Sequence, residues 1–341
     1  MRFLYTIIFI YLIAVPNGCT KAREDKSTKP EISDPTKDAL DTLVYSSPGS
    51  YSLTLEKGDG VSNVEIRSYK DMFDLYEKLN YTPEAWQVGI REVPRVYLPL
   101  IGDRWGTTGS KEITVDNKKR LFFRTLAPLI LRANELIIVD RKKLGDIRAS
   151  YKKNNPLDEK DQSWVLKLAK IYKVDTENDQ VTSSLLESLW QKVDIVPVSL
   201  ALAQAAEESG WGTSRFAALG NAVYGQWTWG SNAITPEKQR KELGNYGIAA
   251  FSTLQESVCA YMLNLNTHNA YASLRDKRAE LHKKGDLITG NILAGQLTKY
   301  SERGEEYVKS LRSLMDYNRL SPADDAYLSK DPPIYLVPTA D

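Results

Sequence analysis

A mainly α fold with a small β lobe is what this sequence predicts, on three observations. Apolar residues recur at helical spacing from residue 121 onward, beginning with Phe122, Leu126, Leu129, Ile130 and Ala133. Between residues 225 and 251 that period gives way to turn residues alternating with the short segments YGQWTW and YGIAAF, the pattern of a small β lobe or long hairpin. Of the 341 residues, 42% are hydrophobic, enough to build at least one substantial core, so the patterns describe a globular chain.

In chain order, MRFLYTIIFIYLIAVPNGC has Arg2, an apolar run over residues 3–15 and a small residue before Cys19, which reads as a signal peptide over 1–18 and an exported chain. The run is too short for a comfortable spanning helix. Gly18 followed by Cys19 resembles the lipid-attachment site of a bacterial lipoprotein, implying a periplasmic or cell-envelope protein held to the membrane by a lipid; cleavage nearby and a signal anchor are the other readings. Residues 19–47, rich in Lys, Glu, Asp, Pro, Ser and Thr, read as a polar tether.

Residues 48–160 read as a mixed N-terminal region: the alternating VEIRSY, a helix near 72–79, and one long amphipathic helix that Pro128 should kink or split. Residues 161–320 form the main helical domain and 321–341 a tail. Helical patterns cover 163–172 and 182–193, and then Pro197 opens PVSLALAQAAEES, a helix apolar all round and therefore buried. Gly210 suits the left-handed conformation just past its end. Ser252 and Gln255 read as a capping box for the next helix, and further helices follow at 271–283, 286–297 and 305–316.

Lys and Arg total 45 against 44 Asp and Glu, with no dense basic stripe, which argues against nucleic acid as a partner. With only Cys19 and Cys259, disulfides do not hold the fold, and Cys259 beside Val258 and Met262 reads as a packed thiol. Two histidines, His268 and His282, are too few and too far apart for a typical zinc site, so neither a metal nor a cofactor is expected.

The chemistry concentrates in AEESGWGTSRFA, residues 206–217. Gln204 and Glu208 share a helix face, while Glu207 is rotated about 100° away. The negative helix C-terminus and burial beside Trp211 should both raise the pKa of Glu208. A carboxylic acid kept protonated near neutral pH is what glycoside hydrolysis needs to protonate its leaving oxygen. Trp211, Tyr224, Trp227 and Trp229 follow closely, and such rings either pack against pyranose faces or join helix to β lobe as core.

ALAQAAEESGWGTSRFA and GNAVYGQWTW resemble the glucosaminidase family of peptidoglycan hydrolases, glycoside hydrolase family 73, and its Bax-like branch. FSTLQESVCAYMLNLNTHNAYASLR and LTKYSERGEEYVKSLRSLM extend the resemblance, which covers roughly residues 181–317, and the LFFRTLAPLILRANELI helix before it also looks Bax-like. It implies a lysozyme-like helical fold with a small β lobe, and an endo-β-N-acetylglucosaminidase that cuts the β-1,4 bond after N-acetylglucosamine in peptidoglycan. The glutamate directly before Ser-Gly-Trp-Gly is the family's general acid, here Glu208. The family's tyrosine motif falls on Tyr300, with Tyr307 shortly after, although YSERGEEY stands where many members continue with Thr, Asp and Pro.

Gln204, Trp211, Asn221, Tyr224, Gly225, Gln226, Trp227 and Tyr307 are thereby expected to bind substrate. Glu237 and Glu242 are the local candidates for a second carboxylate, and each also reads as a solvated surface charge. A noncatalytic glycan-binding or scaffolding protein and a lytic transglycosylase are the alternatives.

Overall fold

The computed structural model describes residues 60–101, 113–231, 233–237, 244 and 246–339. The expected leader, the tether with Cys19, and Glu242 lie outside the described residues.

The N-terminal part contains β1 (Ser62–Ile66), α1 (Tyr69–Lys78), α2 (Pro83–Gln87), β2 (Glu92–Val93) and β3 (Val96–Tyr97). Next comes α3 (Val115–Lys152), a 38-residue helix capped by Thr114 that runs unbroken through Pro128. Proline removes one N–H and crowds the preceding turn. Here burial on both sides overrides the expected split, since Leu126, Leu129 and Ile130 are at most 2% exposed. No helix among the described residues is long and apolar enough to cross a membrane.

The main domain follows as α4 (Glu159–Ile171), α5 (Ser183–Lys192), α6 (Val198–Ser209) and α7 (Arg215–Gly220), then the β lobe of β4 (Trp227–Thr228), β5 (Ala233–Ile234) and β6 (Gly247–Ala249). After it come α8 (Leu254–Thr267), α9 (Ala272–Lys284), α10 (Gly290–Ala294) and α11 (Glu305–Tyr317). The lobe is an antiparallel sheet in the order β4-β6-β5. The cap of α8 is Thr253, accepting from the Glu256 amide, while Glu256 accepts from the Ser252 amide; the expected box is displaced by one residue. Cys259 is buried, as expected of a packed thiol.

At the centre lies α6, with ten of its twelve residues buried and Gly210 closing it in the left-handed conformation at φ 56°. Its alanines allow α3, α10 and α11 to pack closely around it. Pro197 supplies no side-chain cap at its start. Asp324 supplies one from a distance, accepting from the Ser199 amide, the Ser199 hydroxyl and the Gly290 amide at 2.8, 2.8 and 2.9 Å. A side chain at Gly290 would meet the Ser199 Oγ, so only glycine lets α10 begin here. Two helix N-termini thus share one carboxylate, which both dipoles favour. Asp324→Ala is expected to cost about 1–3 kcal/mol, read as a lower melting temperature; Asp324→Asn, which keeps one acceptor, should lose less.

The stretch expected as a tail forms β7 (Tyr327–Leu328) and β8 (Ile334–Pro338). Strand β8 lies between β1 and β3 in a parallel sheet, with Ser62 opposite Ile334, and β7 pairs in parallel with β2. Burial of Leu328, Tyr335 and Leu336 fixes these strands onto the N-terminal part.

Candidate active site

The candidate acid sits in the last turn of α6. Tyr307 of α11 donates to Glu208 Oε1 at 2.7 Å, Gln204 Nε2 donates to the Tyr307 hydroxyl at 3.0 Å, and the Tyr261 hydroxyl donates to Gln204 Oε1 at 2.6 Å. This chain of donors runs through buried groups and ends on the carboxyl. Behind it lie five tyrosines, Tyr224, Tyr261, Tyr271, Tyr300 and Tyr307, each at most 1% exposed. Tyr300 stacks on Tyr307 with centroids 5.4 Å apart, and Tyr224 on Tyr261 at 3.8 Å.

This aromatic floor strips water from the carboxyl. Desolvation lifts the Glu208 pKa to about 7; the Tyr307 hydrogen bond opposes the shift, the Glu207 charge adds to it and the Arg303 charge offsets part. Glu208 itself is half-buried, so its outer face meets solvent. With Oε1 held by Tyr307, Oε2 is the oxygen left to carry a transferable proton. It faces Gly225, where φ is +59° and an added Cβ would lie 3.9 Å from Oε2. Glycine serves both the backbone turn and the approach to the acid.

The glucosaminidase family model, described as mannosyl-glycoprotein endo-beta-N-acetylglucosaminidase, matches residues 183–320. The chain is 32% identical over 202 residues to Protein bax of Escherichia coli (strain K12), covering 59% of this chain and 70% of that one. The chain belongs to the glucosaminidase family. No solved structure matches. Family membership supports a glycosidase-type enzyme with a glycan as its substrate, and the mainly α architecture with small sheets accords with the expected lysozyme-like domain.

Within this member of the family, the expected site residues divide. Gln204, Gly225 and Tyr307 gather around Glu208. The residue touching the acid is Tyr307; Tyr300 stacks behind it and sends its hydroxyl to the Tyr224 carbonyl at 3.4 Å. Tyr224 is fully buried and stacked, so it presents no ring to a sugar. Asn221 is likewise a latch, accepting from the Ile101 amide and donating to the Phe251 carbonyl, both at 3.0 Å. Gln226 donates to the Ala260 carbonyl.

Gly210, Trp211 and Gly212 all take positive φ, at 56°, 62° and 77°. This turn sets the Trp211 ring edge-on to Phe122 and Phe123 of α3, at 5.8 and 5.1 Å, so Trp211 anchors the helix end. The aromatic side chain in hydrogen-bond contact with Glu208 is that of Tyr307. Trp227 stacks on Tyr246 in the β lobe, and Trp229 is 46% exposed.

Of the two second-carboxylate candidates only Glu237 is described, and it stands at the surface beside Arg215. Glu237 has an 84% exposed side chain 3.8 Å from Arg215, and Glu242 lies outside the described residues. Glu207 is tied to Arg303 at 2.7 Å and to the Ser310 hydroxyl at 3.1 Å. Arg303 belongs to SERG, the stretch after Tyr300, and its pairing with Glu207 joins residues 96 apart in the sequence. The described residues hold no cluster of three or more potential ligands for a metal ion.

Proposed function

We propose that the chain is a peptidoglycan hydrolase that cleaves the β-1,4 bond after N-acetylglucosamine, with Glu208 as general acid. The observation that carries this reading is a half-buried glutamate whose pKa lies near 7, held by Tyr307 on one oxygen and open on the other. Protonated Oε2 gives its proton to the glycosidic oxygen as the C1–O bond breaks. A single protein acid suffices if the substrate's own N-acetyl oxygen captures C1. Water then attacks C1, reopening that ring and returning a proton to Glu208. Incubation with purified peptidoglycan should yield new reducing N-acetylglucosamine ends; anhydro-sugar ends would assign a lytic transglycosylase, and no new ends a glycan-binding protein.

The Tyr307 hydroxyl both orients Glu208 and lowers its pKa. Tyr307→Phe is therefore expected to reduce turnover about tenfold and to move the basic limb of the pH–rate profile upward. Tyr300→Phe loses only a long bond to a carbonyl and should have a smaller effect. A pH–rate profile for each variant decides, and a larger loss in Tyr300→Phe would reverse the assignment.

We further propose export and lipid attachment at Cys19, supported by the apolar run, Gly18 and the polar stretch that follows. Cys19→Ser should move the protein from the membrane to the soluble fraction. Identical fractionation of the two proteins would rule the anchor out.

A further inference from the structure

At the far end of α6 from Glu208, a groove of about 580 Å3 opens between α3, α5 and α9. Asp194 in its wall precedes the start of α6 at Val198, and Glu208 lies ten residues further on, about 15 Å along the helix. The groove is therefore separate from the acid.

Its walls carry Trp190, with the guanidinium carbons of Arg141 and Arg148 at 3.9 and 4.9 Å from the ring centroid. Gly145 lets the indole approach α3 closely, since a Cβ there would stand 3.2 Å from the ring and push it back by a few tenths of an ångström. Asp194, with a 5% exposed side chain, meets Arg141 at 3.4 Å, Arg278 at 3.3 Å and His282 at 2.7 Å. Glu187 meets both Arg148, at 2.7 Å, and Lys152, at 3.0 Å. Lys283 adds another cation to the lining, and Asp276 lies at the rim, accepting from Gln191.

Each wall carboxylate thus has more than one cation. The lining carries three permanent cations, Arg141, Arg148 and Lys283, against two carboxylates, Asp194 and Glu187, and those same carboxylates are also paired by Arg278 and Lys152 in a chain whose net charge is only +1. Arg278 is fully buried, and its Nε makes no hydrogen bond despite lying 3.3 Å from Asp194. Excess positive charge beside the half-buried Trp190 favours an anion that offsets it. Arg148 gives its Nε and Nη2 to Glu187, both at 2.7 Å, and its Nη1 donors are the part of the planar guanidinium left for a carboxylate or phosphate.

We propose that this groove is a binding site for an oxyanion, a carboxylate or phosphate group, seated between Arg148 and Lys283. Arg141 and Arg278 are committed to backbone carbonyls and Asp194 and build the wall behind it. The site acts independently of the chemistry at Glu208.

Titration calorimetry of the full chain at low ionic strength, with glutarate and inorganic phosphate as separate probes, tests this. At least one should bind with a dissociation constant of about 1 mM or tighter; stronger glutarate binding points to a carboxylate-bearing ligand, stronger phosphate binding to a phosphorylated one. Arg148→Gln combined with Lys283→Gln should weaken binding about tenfold with unchanged peptidoglycan cleavage. Lys283→Gln alone, at an exposed position, gives the same direction of change should the double variant fold poorly. The proposal is overturned if neither probe binds, or if both variants bind as tightly as the wild type.

Discussion

Glu208→Gln is expected to lower glycan cleavage by about two to four orders of magnitude while leaving the fold intact. The amide keeps the shape of the side chain and can still accept from Tyr307, yet it has no proton to give the glycosidic oxygen. Stability supplies a second readout. The folded-state pKa of Glu208 is raised from 4.5 to about 7, so its ionisation opposes folding, and stability falls as pH rises between those two values. Above pH 7 the wild type carries that cost, at most about 3 kcal/mol, and the glutamine variant does not. The variant should therefore melt higher than the wild type at pH 8, and the gap should narrow toward pH 4.5. Glu207→Gln is the control: it should retain most activity, but loss of the neighbouring negative charge should shift the basic limb downward. Matched melting curves and counted reducing ends decide between these outcomes, and wild-type cleavage by Glu208→Gln would remove the general-acid assignment.

How much of this site the sequence carries depends on how local each interaction is. The end of α6 was legible because its causes are adjacent in the chain: an all-apolar helix, a glycine free to take positive φ, and Gln204 one turn before Glu208. The partner of the acid was not, because Tyr307 arrives from a helix 99 residues away. Tyr300 and Tyr307 are seven residues apart, so a motif alone does not choose between them; the fold does, by placing Tyr307 on α11 and Tyr300 in the turn before it. The aromatic residues after Glu208 were legible as a cluster, but not in their roles. Tyr224 and Trp211 turn inward because Tyr261 and the Phe122–Phe123 pair wait there, and nothing within ESGWG or GNAVYGQW encodes those distant partners. The strands after residue 320 escaped notice for the same reason: parallel pairing to residues 62–66 leaves no turn signal nearby.

The largest stability effect is expected at the opposite end of α6, where no motif marks the residues involved. Asp194→Ala should destabilise the fold by about 3–5 kcal/mol at neutral pH, because it leaves Arg278 and Arg141 facing each other without their shared carboxylate. Burial alone would raise the pKa of Asp194, but the His282 hydrogen bond and the charges of Arg278 and Arg141 outweigh it and hold the carboxyl below its usual value. Burial pushes the Arg278 guanidinium down to about 10, a shift the charge of Asp194 resists, so Arg278 remains charged at neutral pH. A depressed carboxylate pKa contributes stability that is present above the unfolded value, near 4, and is lost as pH falls through the folded value. The difference between wild type and Asp194→Ala in denaturant unfolding should therefore be full at pH 7 and shrink in acid. Asp194→Asn, which keeps the shape but not the charge, should fall between the two. If Asp194→Ala unfolds within about 1 kcal/mol of the wild type at pH 7, the two arginines are compensated by solvent rather than by Asp194, and the buried charge cluster contributes little.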